Sequence, residues 1–476
     1  LYIDMLSAAM VLTATFHPGR LPSPGGEASY AGQYAGMYLT GRILVLLFGI
    51  ATVYFVYLLG KRAYGRSTGL WAAMLMMVMP VHVVHSRFMG IDVPAAFLVT
   101  LSLLFAVRLT EENRLRDYIL SGLFGGLATA ASYPAILVVG ASKLAHLSSH
   151  KSRPVVRVFH WKQLVMIVMA AAGFVAGNPW VVLHPHRSLS GFVSGVVASY
   201  PGLAGAGSAG DYLYLFTHLL PTGVGAPVMA LGLLGLVYGL ARRTMADKVL
   251  CGFFLLYTLL LAVGQSKLAG QVIPVLPVLA VLSVRPIAEI VLSLESRGVF
   301  ARAGGILVSI VGAAFFLGTL LYTVAIIMPM GLPDTRDTAA AWMNASVPEG
   351  SSIGLPTGNT LCTPPLGPYF GYSEGDDSGM PEDLRYDVLI SPEGDWDTDY
   401  LRETTPDFVM VCGDADSENS RASRRYMREV GESYDLVRED RMQPPLFPWI
   451  KLPRRLPADM SFANPTISIY SRRAVE

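Results

Sequence analysis

The sequence predicts an all-α polytopic membrane domain of about ten spans over residues 1–330, then a small extracytoplasmic α/β domain over 331–476. Three observations predict this. Hydrophobic residues make up 52% of the chain and charged residues 15%, where a soluble domain carries about 25% charged. The charge is divided: residues 1–330 hold 22 Lys+Arg and 10 Asp+Glu, a balance of +12, and 331–476 hold 14 and 25, a balance of −11. Apolar runs of spanning length recur through the first part and stop in the second. This composition excludes a string of soluble domains and a disordered chain, and three cysteines exclude a disulfide scaffold. The chain begins at Leu1, with no Met and no charged n-region. No signal peptide is read, and a fragment lacking its true N-terminus is expected.

A spanning helix needs roughly 17–25 mostly apolar residues. Such runs lie at 35–60, 67–83, 93–109, 162–183, 226–241, 248–264, 272–286 and 303–328. Segment 118–147 is apolar but too long for one span, and Ser132-Tyr133-Pro134 sits in its middle. Proline removes a helix donor and clashes with the preceding turn, so two short helices are predicted there. Residues 1–16 are short and interrupted by Asp4, which suits an interfacial helix on the outer face.

The basic residues orient these spans. One set of connections holds Lys61, Arg62, Arg66, Arg108, Arg114, Arg116, Lys143, Lys151, Arg153, Arg157, Lys162, Arg242, Arg243, Lys248, Arg285, Arg297 and Arg302. The opposite set holds Arg20, Arg87, Arg187 and Lys267. The first set is therefore expected in the cytoplasm. The basic residues flank successive helices and form no single patch, so nucleic acid is not an expected partner. Residues 1–34, 84–92, 184–225, 265–271 and everything after 328 are expected outside.

The second domain reads as a helix over DTRDTAAAWMNAS, strands at 351–355, 385–391, 406–412 and 465–471, and a further helix at 418–431. Residues 356–384, rich in Pro, Gly and acids, read as a long surface loop. Cys362 and Cys412 both fall here and either pair or remain thiols; Cys251 lies in an apolar run.

Orientation filters the chemistry. Of the ten acids before residue 331, only Asp4, Glu27, Asp92 and Asp211 lie on the expected outer side. Asp92 sits in HSRFMGIDVPAAF, a short turn between two spans. It reads either as a helix N-cap or as a site acid, and the two are compatible. Arg42 lies inside an apolar run near the outer end of a span, where it either snorkels or binds an anion. Lys267 is the one base in GQSKLAGQ and suits a lipid phosphate or an interfacial anchor. Arg87 and His85 carry the same two readings. His184 and His186 form a weak metal pattern. No Walker loop, GxSxG, HExxH, CxxC or dinucleotide fingerprint occurs.

Five stretches carry a family resemblance: LYIDMLSAAM, GRILVLLFGIATVYFVYLLGKRAYG, SRFMGIDVPAAF, AGNPWVVLHP and SKLAGQVIPVLP. Together they resemble the C-type fold of polyprenyl-phosphate-sugar glycosyltransferases, the broad family of protein O-mannosyltransferases and lipid A aminoarabinose transferases. The resemblance covers most of 1–330. It implies an integral membrane enzyme of the cell envelope, in a multi-pass cell membrane. It implies a polyprenyl-phosphate-linked sugar as donor, and a glycan, lipid or protein hydroxyl as acceptor. Asp92 matches the acid of the second external loop. Arg42 and Lys267 match basic positions that can face the donor phosphate, Arg87 is a further substrate-binding candidate by its place beside Asp92, and a divalent metal ion is a candidate cofactor. Two departures stand. The family's first-loop acid would precede Leu1, and Ser132 stands where many members have Lys before the aromatic residue.

The chemistry fits a membrane-embedded site. An acceptor hydroxyl attacks the anomeric carbon, the lipid phosphate leaves, and a carboxylate takes the proton. Two rival classes are a secondary transporter or lipid flippase, which would show related halves, and a non-catalytic membrane subunit. No related halves are seen, and a large external α/β domain is unusual for a transporter.

Overall fold

The computed structural model describes residues 30–149, 160–188, 190, 213–264, 268–295, 299–357, 386–391, 395–412, 421–441, 457–461 and 464–473. The chain is mostly helical, with a small mixed sheet. It divides into two compact units, Leu1–Thr323 and Val324–Glu476.

The first unit begins with α1 (Tyr30–Tyr64), α2 (Arg66–Val78), α3 (Pro80–His85) and α4 (Asp92–Glu112). Next come α5 (Leu115–Ala131), a 3₁₀ turn at Tyr133–Ile136, and α6 (Leu137–Ser149). α7 (Trp161–Gly177) and α8 (Trp180–Leu183) precede a π-helical turn at Leu215–Leu219 and α9 (Leu220–Val224). α10 (Ala226–Arg242), α11 (Met245–Ala262), a 3₁₀ segment Ala269–Val275, α12 (Leu276–Glu295) and α13 (Val299–Ile327) complete it.

Local chemistry sets the breaks. Gly65, at φ 105°, makes the one-residue turn between α1 and α2, in a region that favours glycine. Asn113 at φ 46° ends α4 in the left-handed conformation. Thr244 and Asp247 form a reciprocal capping box at the start of α11. Ser132 is extended between α5 and the 3₁₀ turn that carries Pro134, so the split expected within 118–147 is present.

Three expectations are corrected. The run 67–83 is two helices, because Pro80 holds Met79 extended (φ −67°, ψ 122°). The run 162–183 breaks at Asn178-Pro179 for the same reason. Residues 213–224, expected within an external loop, are helical and bend by 115° into α10.

Among the described residues, five helices are long and apolar enough to cross a membrane, or up to six if the bent pair counts as one span. α4 is central: 78% of its apolar window is buried, against 33% for α1. α1 and α4 run parallel. Gly49 packs on Ser86 and Val93 at one end, and Arg62 pairs with Glu111 and Glu112 at 2.6 Å at the other.

The second unit has α14 (Thr335–Ser346), β1 (Ser352–Leu355), β2 (Asp387–Ile390), α15 (Thr398–Thr404) and β3 (Phe408–Cys412). α16 (Arg421–Ser433), β4 (Tyr434–Asp440), α17 (Ala458–Ser461) and β5 (Ile467–Arg472) follow. The sheet order is β2-β1-β3-β5-β4. β1 runs parallel to β2 and β3, and β5 runs antiparallel to β3 and β4. Strand alternation separates two cores. Met410, Ile353, Ile467 and Ile469 face Ala339 and Met343 of α14, while Val409 and Val411 face Leu401 of α15 and Tyr426 and Val430 of α16. The result is a three-layer α/β unit whose expected strands are all present. Cys412 is disulfide-bonded, Cys251 is a buried free thiol, and Cys362 lies outside the described residues.

Candidate functional site

Asp92 is the first residue of α4, and Ile91 occupies the N-cap. The N-cap reading of Asp92 therefore moves by one position. A carboxylate in the first turn still suits the positive end of the helix. The side chain is half-buried.

Two other elements meet it. His85, the last residue of α3, is buried, and its Nδ1 lies 2.9 Å from the carbonyl oxygen of Val81 one turn earlier. Gly270, in the 3₁₀ segment, lies against both side chains. A Cβ built on it would stand 2.6 Å from Asp92 Oδ2 and 3.0 Å from His85 Nε2. Asp92 and His85 thus converge on one point beside the backbone of residue 270, three residues after Lys267.

The surrounding segments are short and broken. α9 touches both partners of the cluster's framework: a Cβ on its Gly223 would reach Val81 at 3.4 Å and Val272 at 3.9 Å. Tyr257 of α11 donates to the Gln271 carbonyl at 3.2 Å. Helix breaks leave backbone polar groups that a bilayer tolerates only where protein or a water-filled cavity surrounds them.

The other expected site residues fall as follows. Arg42 is exposed on α1. It lies two turns, roughly 10 Å, before the Gly49 contact with Ser86 and Val93. Nothing among the described residues joins it to Asp92. Arg87 is exposed in the 86–91 turn, between His85 and Asp92. Lys267 lies outside the described residues, as do Asp4, Glu27 and Asp211.

The metal expectation has only partial support in the donor set. Asp92 and His85 supply two donors, and no group of three or more His, Cys, Asp or Glu gathers among the described residues. The ring of His184 lies against Trp180, tilted by 59° with centroids 3.8 Å apart.

Sequence reasoning missed Gly270. No sequence signal marks it, although it lies in the SKLAGQVIPVLP stretch, three residues after Lys267. It also read the bases of the opposite end as orientation signals alone. In the structure they are paired. Arg62 binds Glu111 and Glu112, Arg108 lies 3.4 Å from the buried Asp117, and Arg285 binds Asp247 and Glu289. Asp92 lies at the end of the α1–α4 pair remote from Arg62 and its acids.

Comparison with known proteins gives one family match. Residues 38–180 match the family model described as dolichyl-phosphate-mannose-protein mannosyltransferase. The resemblance drawn from the sequence to polyprenyl-phosphate-sugar glycosyltransferases holds over this stretch, which contains Arg42, Arg87 and Asp92. No curated protein matches the chain. Among solved structures, ArnT from Cupriavidus metallidurans bound to undecaprenyl phosphate is 14% identical, with a TM-score of 0.46 over 90% of this chain and 84% of that one. The Archaeoglobus fulgidus oligosaccharyltransferase tethered with an acceptor peptide is 13% identical, with a TM-score of 0.47 over 91% and 64%. The arabinofuranosyltransferase AftD from Mycobacteria is 15% identical, with a TM-score of 0.42 over 92% and 34%. The chain thus spans less than two thirds of the latter two.

Proposed function

We propose that this protein is an integral membrane glycosyltransferase that moves a sugar from a polyprenyl-phosphate donor to an acceptor hydroxyl on the extracytoplasmic side. The observation that carries this reading is the setting of Asp92. It lies inside the stretch that matches the mannosyltransferase family model, and it meets His85 and Gly270 where three helical segments converge.

The orientation rests on charge. Arg62, Arg108 and Arg285, all from the more basic set of connections, lie remote from Asp92, and an excess of basic residues marks the cytoplasmic side. Asp92 then faces outward, and the ten crossings read from the sequence stay part of this proposal, beyond the five or six long apolar helices and the shorter Trp161–Gly177 helix among the described residues. The second unit, with its disulfide-bonded Cys412, suits an oxidising, extracytoplasmic compartment.

In the reaction, the acceptor oxygen forms a bond to the anomeric carbon as the carbon–oxygen bond to the phosphate breaks. The phosphate leaves with the electron pair, and the hydroxyl proton passes to Asp92. Arg42, Arg87 and Lys267 provide positive charge for the phosphate.

The test is transfer by the purified full chain in liposomes. Radiolabelled polyprenyl-phosphate hexoses and pentoses are supplied with lipid, glycan and peptide acceptors. Label appearing on an acceptor, dependent on the protein, supports the reading. Movement of intact donor between leaflets without transfer would replace it with a flippase.

A further inference from the structure

A Cβ on Gly270 would stand 2.6 Å from Asp92 Oδ2, 3.0 Å from Asp92 Cγ and 3.0 Å from His85 Nε2. Favourable carbon contacts begin at about 3.5 Å. Position 270 therefore accepts no side chain while the Asp92 carboxylate keeps its place. The space that a methyl group would fill is the space against which the carboxylate rests.

His85 is held from two sides. Its Nδ1 faces the Val81 carbonyl at 2.9 Å, and a carbonyl oxygen only accepts, so Nδ1 carries a proton and donates it. The ring stands edge-on to Phe88, with centroids 5.9 Å apart and planes at 84°. These contacts fix the ring plane and the tautomer, and they leave Nε2 on the side shared with Asp92 and Gly270. A histidine used only to fill space needs neither a fixed tautomer nor a glycine opposite.

We propose that His85 and Gly270 are the positioning residues of Asp92: the imidazole sets the side from which the carboxylate is approached, and the bare Cα of Gly270 keeps open the position it occupies. The kinetic consequence rests on the glycosyl-transfer reading, and the structural one rests on geometry alone. Neither residue touches the sugar; both act through Asp92.

The test has a geometric arm and a kinetic arm, both on the full chain in membranes. In the first, Asp92→Cys is combined with Gly270→Cys and treated with a mild thiol oxidant. A sulfur at 92 takes the place of Cγ, 3.0 Å from a Cβ at 270, within reach of an S–S bond of about 2.05 Å. Mass spectrometry is expected to find the two peptides joined. Absence of the link overturns the proposal. If the double-cysteine protein forms the link while the wild-type protein transfers no sugar, the result counts against the transferase reading and in favour of this placement of Asp92 against Gly270.

In the kinetic arm, Gly270→Ala lowers kcat by about tenfold or more and leaves donor KM little changed, since small misplacements of a reacting group cost up to about a hundredfold. In an Asp92→Asn background the same change adds little, because its effect passes through Asp92. His85→Gln, which keeps a polar atom near Nε2, retains more activity than His85→Asn, which keeps only the bond to Val81. Losses at Gly270 that multiply in full with Asp92→Asn, or equal losses for the two His85 variants, overturn the proposal.

Discussion

Arg285 and Asp247 form an ion pair in which both side chains are only 1% exposed. The guanidinium lies over the rings of Tyr64 at 4.1 Å and Tyr238 at 5.2 Å, and its Nε donates to Glu289 at 3.0 Å. Asp247 also accepts from Tyr64 Oη at 2.7 Å and from Thr244 N at 2.8 Å. One cation thereby ties the end of α1 to α10, α11 and α12.

Breaking one side of this pair leaves a buried charge behind. Arg285→Met and Asp247→Ala are each expected to cost about 3–5 kcal/mol, and the double substitution less than the sum of the two. Thermal denaturation of the detergent-solubilised protein checks this. Additive losses would mean that the pair is not a unit.

A second expectation concerns the close packing of α5 on α7. A Cβ on Gly126 would stand 1.9 Å from the Ala170 carbonyl oxygen. Backbone cannot yield as a side chain can, so Gly126→Ala separates the helices and costs about 1–3 kcal/mol. Gly140, with open space where a Cβ would go, is the control: Gly140→Ala should leave the melting temperature unchanged or raise it.

In the second unit, Asp397 caps α15. It accepts from the backbone N–H of Tyr400 and Asp399 at 3.0 Å, and Ser391 Oγ donates to it at 2.7 Å. The Tyr400 bond first, then the Ser391 bond, hold its carboxyl below the ordinary carboxylate range. The folded state thus binds its proton less readily than the unfolded chain. The contribution is complete above the unfolded value and is lost as pH falls through the lowered folded value. Asp397→Ala should cost about 1 kcal/mol at neutral pH. Hydrogen exchange over 397–404, corrected for intrinsic rates, should show that difference shrinking as the solution is acidified.

Much of this was legible in the sequence. Phe408-Val409-Met410-Val411 is a continuous apolar run, legible as a strand buried on both faces, and strand geometry places alternate side chains in the two cores. Pro134 announced its break because it sits inside a run too long for one span. Pro80 did not, because 67–83 has a normal spanning length and hydropathy sees no backbone. The pairing of Arg285 with Asp247 was hidden because the partners lie 38 residues apart and each looks like an ordinary cytoplasmic charge. Asp92 stood out by scarcity. Gly270 did not, since a glycine signals nothing until the side chains opposite it are placed.

Orientation is tested by a fusion after residue 340. An alkaline phosphatase reporter there should be active and a green fluorescent reporter dark, as on the extracytoplasmic side. The opposite pattern would place the second unit in the cytoplasm and reverse the assignment of Asp92.

The central claim is that Asp92 does chemistry. Asp92→Asn preserves the shape of the side chain and removes its charge, so it separates reaction from folding. Transfer from a polyprenyl-phosphate sugar by the full-length protein in liposomes is the measurement. The expected result is a fall of about a hundredfold or more in kcat, the range for a lost general base, with the melting temperature unchanged. Transfer by Asp92→Asn at the wild-type rate would contradict the account.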